Sequence, residues 1–284
     1  MTNEEQFVIH TIQLIKNSNI IHKGTTIRDV TYYNNTRHNI AIVHTDSFGS
    51  PANIAGNIIL QNIVMFSILD AHIDFKYPNF QGDSFAVKYR KLPDTDDLEI
   101  ITKEIYRIFK LIRNASVHSM NSVTTTKQDV NVNYQFKQTN FKLEISKEGI
   151  SILNGLLLRL ISPLNKLTQS HHMHICRSMY KELSKEITCF QDDRGTGLKG
   201  ISYSPLKLMW RQREYIKNPN YEVVIDTILF KTIYELTEYE IEAVGVDYLI
   251  EVDSQKYLIP AEIIHNNQIK IDDIYIWKLD VNNS

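Results

Sequence analysis

The sequence predicts an α+β protein: a mainly helical N-terminal domain over residues 1–165 with an embedded β-hairpin, then a smaller C-terminal region over residues 166–284. Apolar residues at helical spacing dominate the N-terminal part. Two stretches between residues 130 and 145 alternate apolar with polar residues, which predicts the hairpin. The last forty residues contain short β-like runs separated by turn residues, so the C-terminal region is expected to end in short antiparallel strands.

Composition sets the broad class of protein. The chain has 284 residues, 43% hydrophobic and 23% charged, which is typical of a folded chain. Its net charge of −2 excludes a global cationic attraction to nucleic acid but allows a local basic patch. Two cysteines, Cys176 and Cys189, are too few for a disulfide framework. The polar N-terminus and interrupted apolar runs predict a cytoplasmic protein with no membrane partner.

Four helices are predicted in the N-terminal domain. The first covers residues 3–16. Ser50 and Pro51 predict the start of a second helix, which runs through Leu69 and is apolar on nearly every side, so we expect it to be buried. A short third helix covers residues 84–92 and stops at Pro93, and a fourth follows Ser146 and ends at Pro163.

Between Pro93 and residue 118 lies the clearest amphipathic helix of the chain. Asp94 or Thr95 can cap it, and the acidic residues that follow complement its N-terminal dipole. One side is apolar, with Leu98, Ile101, Ile105, Ile108, Phe109 and Ile112. The other side is mostly polar, with Tyr106, Lys110, Arg113, Asn114 and His118.

Shorter elements are expected in the remainder of the chain. A strand is predicted over residues 39–43, a turn over 46–49, a helix over 173–190 and a turn-rich segment over 192–200. In the tail, short strands are predicted over residues 248–252, 256–259, 268–271 and 274–277. Their connecting turns fall at Asp253 with Ser254 and at Asn266 with Asn267.

The stretch from Arg113 to His118 has the residue types needed to act on a phosphodiester. A guanidinium can bind phosphate oxygens in a bidentate way, and imidazole titrates near neutral pH. Asn114 and His118 share a helix face, with Arg113 on its flank. With ten arginines and ten histidines, such a spacing arises about once by chance. Arg37 and His44 also fit it, but they lie in a strand-like segment.

The stretch FAVKYRKLP at residues 85–93, followed by a long helix ending in RNASVH, resembles a HEPN domain. The signature of that family is an Arg, usually a polar residue, and then a His after four to six intervening residues. The resemblance is firm over residues 84–120, extends by helix order over residues 50–162, and does not reach residues 201–284.

The HEPN resemblance implies a metal-independent ribonuclease of a toxin–antitoxin, antiphage or RNA-processing system, without a cofactor. It implies a homodimer in which two signature helices form one cleft. Arg113 and His118 would be catalytic and Asn114 would support them, with Lys110 and Tyr106 binding RNA beside them. An antitoxin or activator protein is a possible partner. Met120 stands where members paired with nucleotidyltransferase antitoxins have Tyr, which speaks against that pairing.

Two alternatives remain open for this helix. A polar helix face with Lys, Arg, Asn and His is commonly only solvated surface. A HEPN-like chain can also be a non-catalytic RNA-binding or scaffold protein whose motif helix serves dimerisation alone, because fold does not guarantee function.

A second candidate RNA-binding segment covers residues 194–221, which are locally basic. Arg211, Arg213 and Lys217 lie near Trp210, and cations interleaved with aromatic rings suit single-stranded RNA. The alternative is a connector that docks on the acidic segment 222–253.

Two further stretches have less specific patterns. The cluster of His171, His172, His174 and Cys176 could hold a metal, but no second Cys/His pair follows at a suitable spacing, so a polar helix start is favoured. Residues 192–197, DDRGTG, lack phosphate-loop spacing and are expected to form a turn.

Overall fold

A computed structural model describes residues 24–33, 36–45, 57–118, 120–162, 166–233 and 244–279, together with residues 9, 11–13 and 15. The chain forms two compact units. The first unit comprises residues 1–23, 47–162 and 179–202, and the second comprises residues 24–46, 163–178 and 203–284. Each unit is therefore built from separate stretches of chain, whereas the sequence predicts one boundary near residue 165.

The described elements include six α-helices and thirteen strands. The helices are α1 (Ile58–Lys76), α2 (Phe85–Lys91), α3 (Asp97–His118), α4 (Lys147–Ile161), α5 (Gln169–Glu186) and α6 (Ile271–Ile274). The strands are β1 (Thr26–Tyr33), β2 (Thr36–Thr45), β3 (Val123–Thr125), β4 (Asp129–Phe136), β5 (Thr139–Ser146), β6 (Ile187–Asp192), β7 (Gly195–Thr196), β8 (Gln212–Ile216), β9 (Tyr221–Val224), β10 (Thr227–Phe230), β11 (Val244–Val252), β12 (Gln255–Pro260) and β13 (Gln268–Lys270).

In the described part of the chain, these strands form three sheets. The first unit contains the order β3-β4-β5-β6-β7, all antiparallel. The second contains β12-β11-β8-β1-β2, in which β8 runs parallel to both β1 and β11, and a separate sheet β13-β10-β9. The predicted fold, a mainly helical domain with one hairpin and a small antiparallel tail, is therefore wrong.

The sequence prediction failed where strands carry buried charge. β8 has the sequence QREYI, and its Arg213 and Glu214 are both fully buried. Because pattern reading expects charged residues to face water, this strand was read as part of a basic surface segment. Similarly, residues 187–190 belong to β6 rather than to the predicted helix 173–190, which the structure replaces by α5.

Elements with strong local signals were predicted correctly. The hairpin of β4 and β5 pairs Val132 with Leu143, and its turn residues Lys137 and Gln138 have positive φ angles of 46° and 65°. Ser146 caps α4, its hydroxyl accepting from the Gly149 backbone N–H at 2.8 Å. Positive φ angles also occur in the predicted turns at Asp253 and Ser254 and at Asn266 and Asn267.

Other boundaries shifted or lie outside the described residues. Asn57 caps α1, accepting from the Leu60 N–H at 3.0 Å. The predicted start at Ser50 and Pro51, most of the predicted helix 3–16 and the turn 46–49 lie outside the described residues. The predicted strand 39–43 lies within β2, but the predicted strand 274–277 is wrong, because α6 and a 3₁₀ turn at Tyr275–Trp277 occupy that stretch.

The buried helix α1 holds the core of the first unit. It packs against α3 and α4, and its Asp70 and Asp74 both bind Lys88 of α2, at 3.0 and 2.6 Å. Among the described residues, α1 is also the one helix long and apolar enough by composition to cross a membrane. Core helices of folded domains meet the same criterion, so the composition of α1 alone does not assign it to a bilayer.

Candidate functional site

Three residues at the C-terminal end of α3, Arg113, Asn114 and His118, form what we call the motif cluster. Arg113 Nη1 lies 3.2 Å from Asn114 Oδ1 and 3.4 Å from His118 Nε2. The helix explains this proximity, because residues four apart share a face and the long arginine side chain bridges to them. The structure thus brings together all three residues that the motif singled out.

The local start of α3 determines where the motif cluster falls. Asp96, rather than the predicted Asp94 or Thr95, is the cap: its Oδ1 accepts from the Glu99 N–H at 2.9 Å. Glu99 in turn accepts from the Thr95 N–H at 2.9 Å, which completes a reciprocal cap. The helix then continues for 22 residues and ends at His118, which is exposed.

The Arg113 guanidinium is held over an aromatic ring. Its Cζ lies 5.0 Å from the centroid of Phe85 on α2. Phe85 packs edge-on against Phe66 of α1, with centroids 4.9 Å apart, so the ring is anchored in the core. Stacking on a ring leaves the edge of a guanidinium free to donate hydrogen bonds to an anion.

Cations earlier on α3 are neutralised by carboxylates. Arg107 binds both oxygens of Asp192, at 2.9 and 2.7 Å, and Glu104 at 2.7 Å. Burial alone would lower the pKa of Arg107, but these carboxylates outweigh it and raise that pKa. Lys110 binds Asp193 at 2.9 Å and is 4% exposed.

The pairing of Lys110 changes its interpretation. The sequence assigns it to RNA binding, whereas the structure buries it and balances its charge. Burial would raise the pKa of Asp193, but its hydrogen bond and charge interaction with Lys110 prevail and lower it. By contrast, Arg113 contacts no carboxylate among the described residues, so the motif cluster carries an uncompensated positive charge.

Tyr106 also lies away from the surface. It is 0% exposed, and its hydroxyl donates to Asp70 Oδ1 at 3.2 Å. Burial and the nearby Asp70 raise its pKa, so the phenol stays neutral. A ring enclosed in this way offers no face to a base, which removes Tyr106 from the RNA-binding set. It falls on the inner side of α3 because the helix buries more than its apolar stripe.

In the second unit, the predicted basic RNA path does not form a continuous surface. Trp210 is 4% exposed and Arg213 is 0% exposed. Arg211 lies over the Trp210 ring at 4.6 Å, and only Lys217 of the four predicted residues is exposed. Two of the four residues are thus internal, because the charge of Arg213 is used in a buried ion network and the Trp210 ring is core.

That buried network is centred on Asp247. Arg213 Nε donates to Asp247 Oδ2 at 2.6 Å, and His171 Nε2 lies 2.8 Å from Asp247 Oδ1. Thr168 Oγ1 lies 2.8 Å from His171 Nδ1, and Glu262 binds Arg213 at 2.9 Å. Burial would raise the pKa of Asp247, but the charges of Arg213 and His171 hold it below its usual range. Its partners are 34 and 76 residues distant, so no local pattern signals the network.

The remaining candidate segments have structural positions. His171 belongs to the Asp247 network, and Cys176 Sγ lies 4.0 Å from the His172 ring nitrogens. The described residues contain no group of three or more His, Cys, Asp or Glu side chains placed to bind a metal ion. Asp193 and Arg194 form the two-residue turn between β6 and β7.

Comparison with known proteins leaves the assignment to the chain itself. No family model, no curated protein and no solved structure matches this chain.

Proposed function

We propose that this chain is a metal-independent endoribonuclease in which Arg113 and His118 act directly on the phosphodiester. The observation that supports the proposal is the motif cluster: an uncompensated guanidinium 3.4 Å from an exposed imidazole at the end of α3. The proposal rests on this geometry and on the HEPN-like motif, since the fold predicted from that resemblance is wrong.

The chemistry needs a proton acceptor, a proton donor and a group that stabilises negative charge. In cleavage by the ribose 2′-hydroxyl, an imidazole removes the hydroxyl proton while the 2′-oxygen attacks phosphorus. A second imidazole donates a proton to the departing 5′-oxygen, and arginine stabilises charge on the non-bridging oxygens. One chain supplies a single His118, so the proposed enzyme is a homodimer that brings two motif clusters together.

The biological setting follows from the same proposal. A cytoplasmic ribonuclease of this class fits a toxin or an antiphage-defence effector controlled by an antitoxin or activator protein. RNA is its substrate, and acid–base chemistry by side chains requires no cofactor.

Cleavage of a labelled single-stranded RNA tests the proposal. His118→Ala should reduce the cleavage rate by at least about a hundredfold, as expected when a general acid–base group is lost. Arg113→Ala should have a similar effect, and EDTA should leave wild-type cleavage unchanged. His265→Ala, an exposed histidine of the second unit, is the matched control and should cleave normally.

The competing function, an RNA-binding or scaffold protein without catalysis, makes a different prediction. It expects wild type and His118→Ala to behave alike, both in the cleavage assay and in arrest of cell growth on expression. Unchanged cleavage in His118→Ala, or complete inhibition by EDTA, would refute the proposed mechanism. Because His118 is exposed, its replacement should not alter the thermal midpoint, which separates loss of activity from loss of fold.

A further inference from the structure

A second arginine of the first unit is held in the same way as Arg113. Arg194, in the turn between β6 and β7, is exposed, and its Cζ lies 5.1 Å from the ring centroid of Tyr89. Tyr89 and Phe85 are four residues apart on α2, so their rings lie on one helix face about one turn, or about 5.4 Å, apart. Helix α2 therefore presents two neighbouring rings, each carrying a guanidinium.

The turn that carries Arg194 is fixed to α3. Asp192 Oδ1 accepts from the Arg194 backbone N–H at 2.9 Å and from Arg107 Nη2 at 2.7 Å. Asp193 binds Lys110, and the Gly197 carbonyl accepts from Arg107 at 3.3 Å. These contacts use the backbone of the turn and the side chains beside Arg194, so the Arg194 side chain itself is left out of the clamp.

The charges around Tyr89 are balanced except for that of Arg194. Lys103, Arg107 and Lys110 also lie within 5.9 Å of the ring, but each binds a carboxylate. Arg194 has no carboxylate within ion-pair distance among the described residues. Burial, with a contribution from Glu104, raises the pKa of Tyr89 to about 12, so its hydroxyl is neutral and does not offset the guanidinium.

We infer that Arg194 binds the phosphate next to the scissile one, so that α2 and the β6–β7 turn extend the site along a single RNA strand. The ring spacing of one helical turn is comparable to the separation of consecutive phosphates in a nucleic-acid strand. Each ring orients a guanidinium whose free edge can donate to phosphate oxygens. This inference rests on the proposed function, because it takes the phosphate at Arg113 as the scissile one.

Binding of 2′-O-methyl RNA, which lacks the attacking hydroxyl, tests the inference without cleavage. The probe is a fluorescein-labelled 12-nucleotide single strand, titrated with the full chain over a range of NaCl concentrations. Arg194→Ala should weaken binding about tenfold at low salt and lower the salt slope by about 0.7, as expected for one lost phosphate contact. Arg194→Lys should keep most of the slope, and Lys256→Ala, an exposed cation of the second unit, should match wild type.

Short competitors locate the contact. Unlabelled 2′-O-methyl UpUpU has two phosphodiesters and UpU has one, so Arg194→Ala should weaken competition by UpUpU and leave UpU unchanged. Equal binding of the 12-mer by Arg194→Ala and Lys256→Ala, with Arg113→Ala still weakened, would overturn this inference and leave the proposed function standing. Absence of RNA binding and cleavage by the wild-type chain would overturn both.

Discussion

At the scale of single residues, charge burial is the feature that most affects stability. Asp247 is 1% exposed and Arg213 is 0% exposed, and each satisfies the other through two hydrogen bonds of 2.6 and 2.7 Å. Gly245 makes room for this pair, since a Cβ there would lie 2.3 Å from Arg213 Nη1. Buried ion pairs contribute little net stability compared with apolar residues, but removing one partner leaves an uncompensated charge.

We therefore expect Asp247→Asn to lower the free energy of unfolding by about 3–5 kcal/mol at pH 7. The effect should depend on pH because the folded-state pKa of Asp247 lies below its unfolded value of about 3.9. The stabilisation is fully present above that value and is lost as the pH falls through the folded pKa. Urea denaturation of wild type and variant between pH 7 and pH 3 measures the difference.

Asp272→Asn is the control for this prediction, because Asp272 is an exposed carboxylate of the same unit. It should change the free energy of unfolding by less than about 0.5 kcal/mol. A difference between wild type and Asp247→Asn that stays constant down to pH 3 would show that the ionised carboxylate is not the stabilising species.

At the scale of elements, the hairpin of β9 and β10 contains a conformational strain that its sequence does not relieve. Ile225 is the first residue of the two-residue turn and has a φ of 57°, in a region that β-branched residues rarely adopt. Its side chain is 93% exposed, so no packing compensates for the strain. Glycine is the residue usually found where such a turn needs a positive φ.

We expect Ile225→Gly to raise the free energy of unfolding by about 1 kcal/mol, because glycine adopts positive φ without the steric cost of Cβ. Thermal or urea denaturation of the full chain measures this change. Val223→Gly is the matched control: Val223 is also exposed, at 45%, but lies in strand β9, where glycine should destabilise. Destabilisation by both substitutions would contradict the strain argument.

At the scale of the whole molecule, the proposed mechanism requires two copies of the chain. Each chain has one motif cluster with one imidazole, and acid and base catalysis together use two proton carriers. The composite site of a homodimer would contain two copies of Arg113 and of His118. Its assembly would be a property of the complete protein rather than of either compact unit.

Mixing Arg113→Ala with His118→Ala chains tests this requirement. Every mixed site then lacks one Arg and one His, so RNA cleavage should remain low at all mixing ratios. Mixing wild type with the double variant is the control for subunit exchange, since activity should then fall as mixed dimers form. A chain that sediments strictly as a monomer and is still fully active would rule out the composite site.

The sequence by itself determined the elements whose signals are local. Alternating residues and a two-residue turn place Val132 opposite Leu143, Ser146 starts α4, and 3.6-residue periodicity identifies α3 with the motif cluster at its end. These features depend on residues close in sequence, where backbone geometry sets which side chains are neighbours. The proximity of Arg113, Asn114 and His118 was predictable for the same reason.

Only the tertiary structure decided which charged and aromatic residues face water. Tyr106, Lys110 and Arg213 have the composition of a surface, yet each is buried against a carboxylate from another element. Arg107 and Asp192 are 85 residues apart, and their pairing fixes the turn that carries Arg194. A buried charge is stable only when its partner is in place, and which distant carboxylate becomes that partner depends on how the strands and helices pack. The fold class and the outer limit of the candidate site therefore came from packing, which no local pattern in the chain encodes.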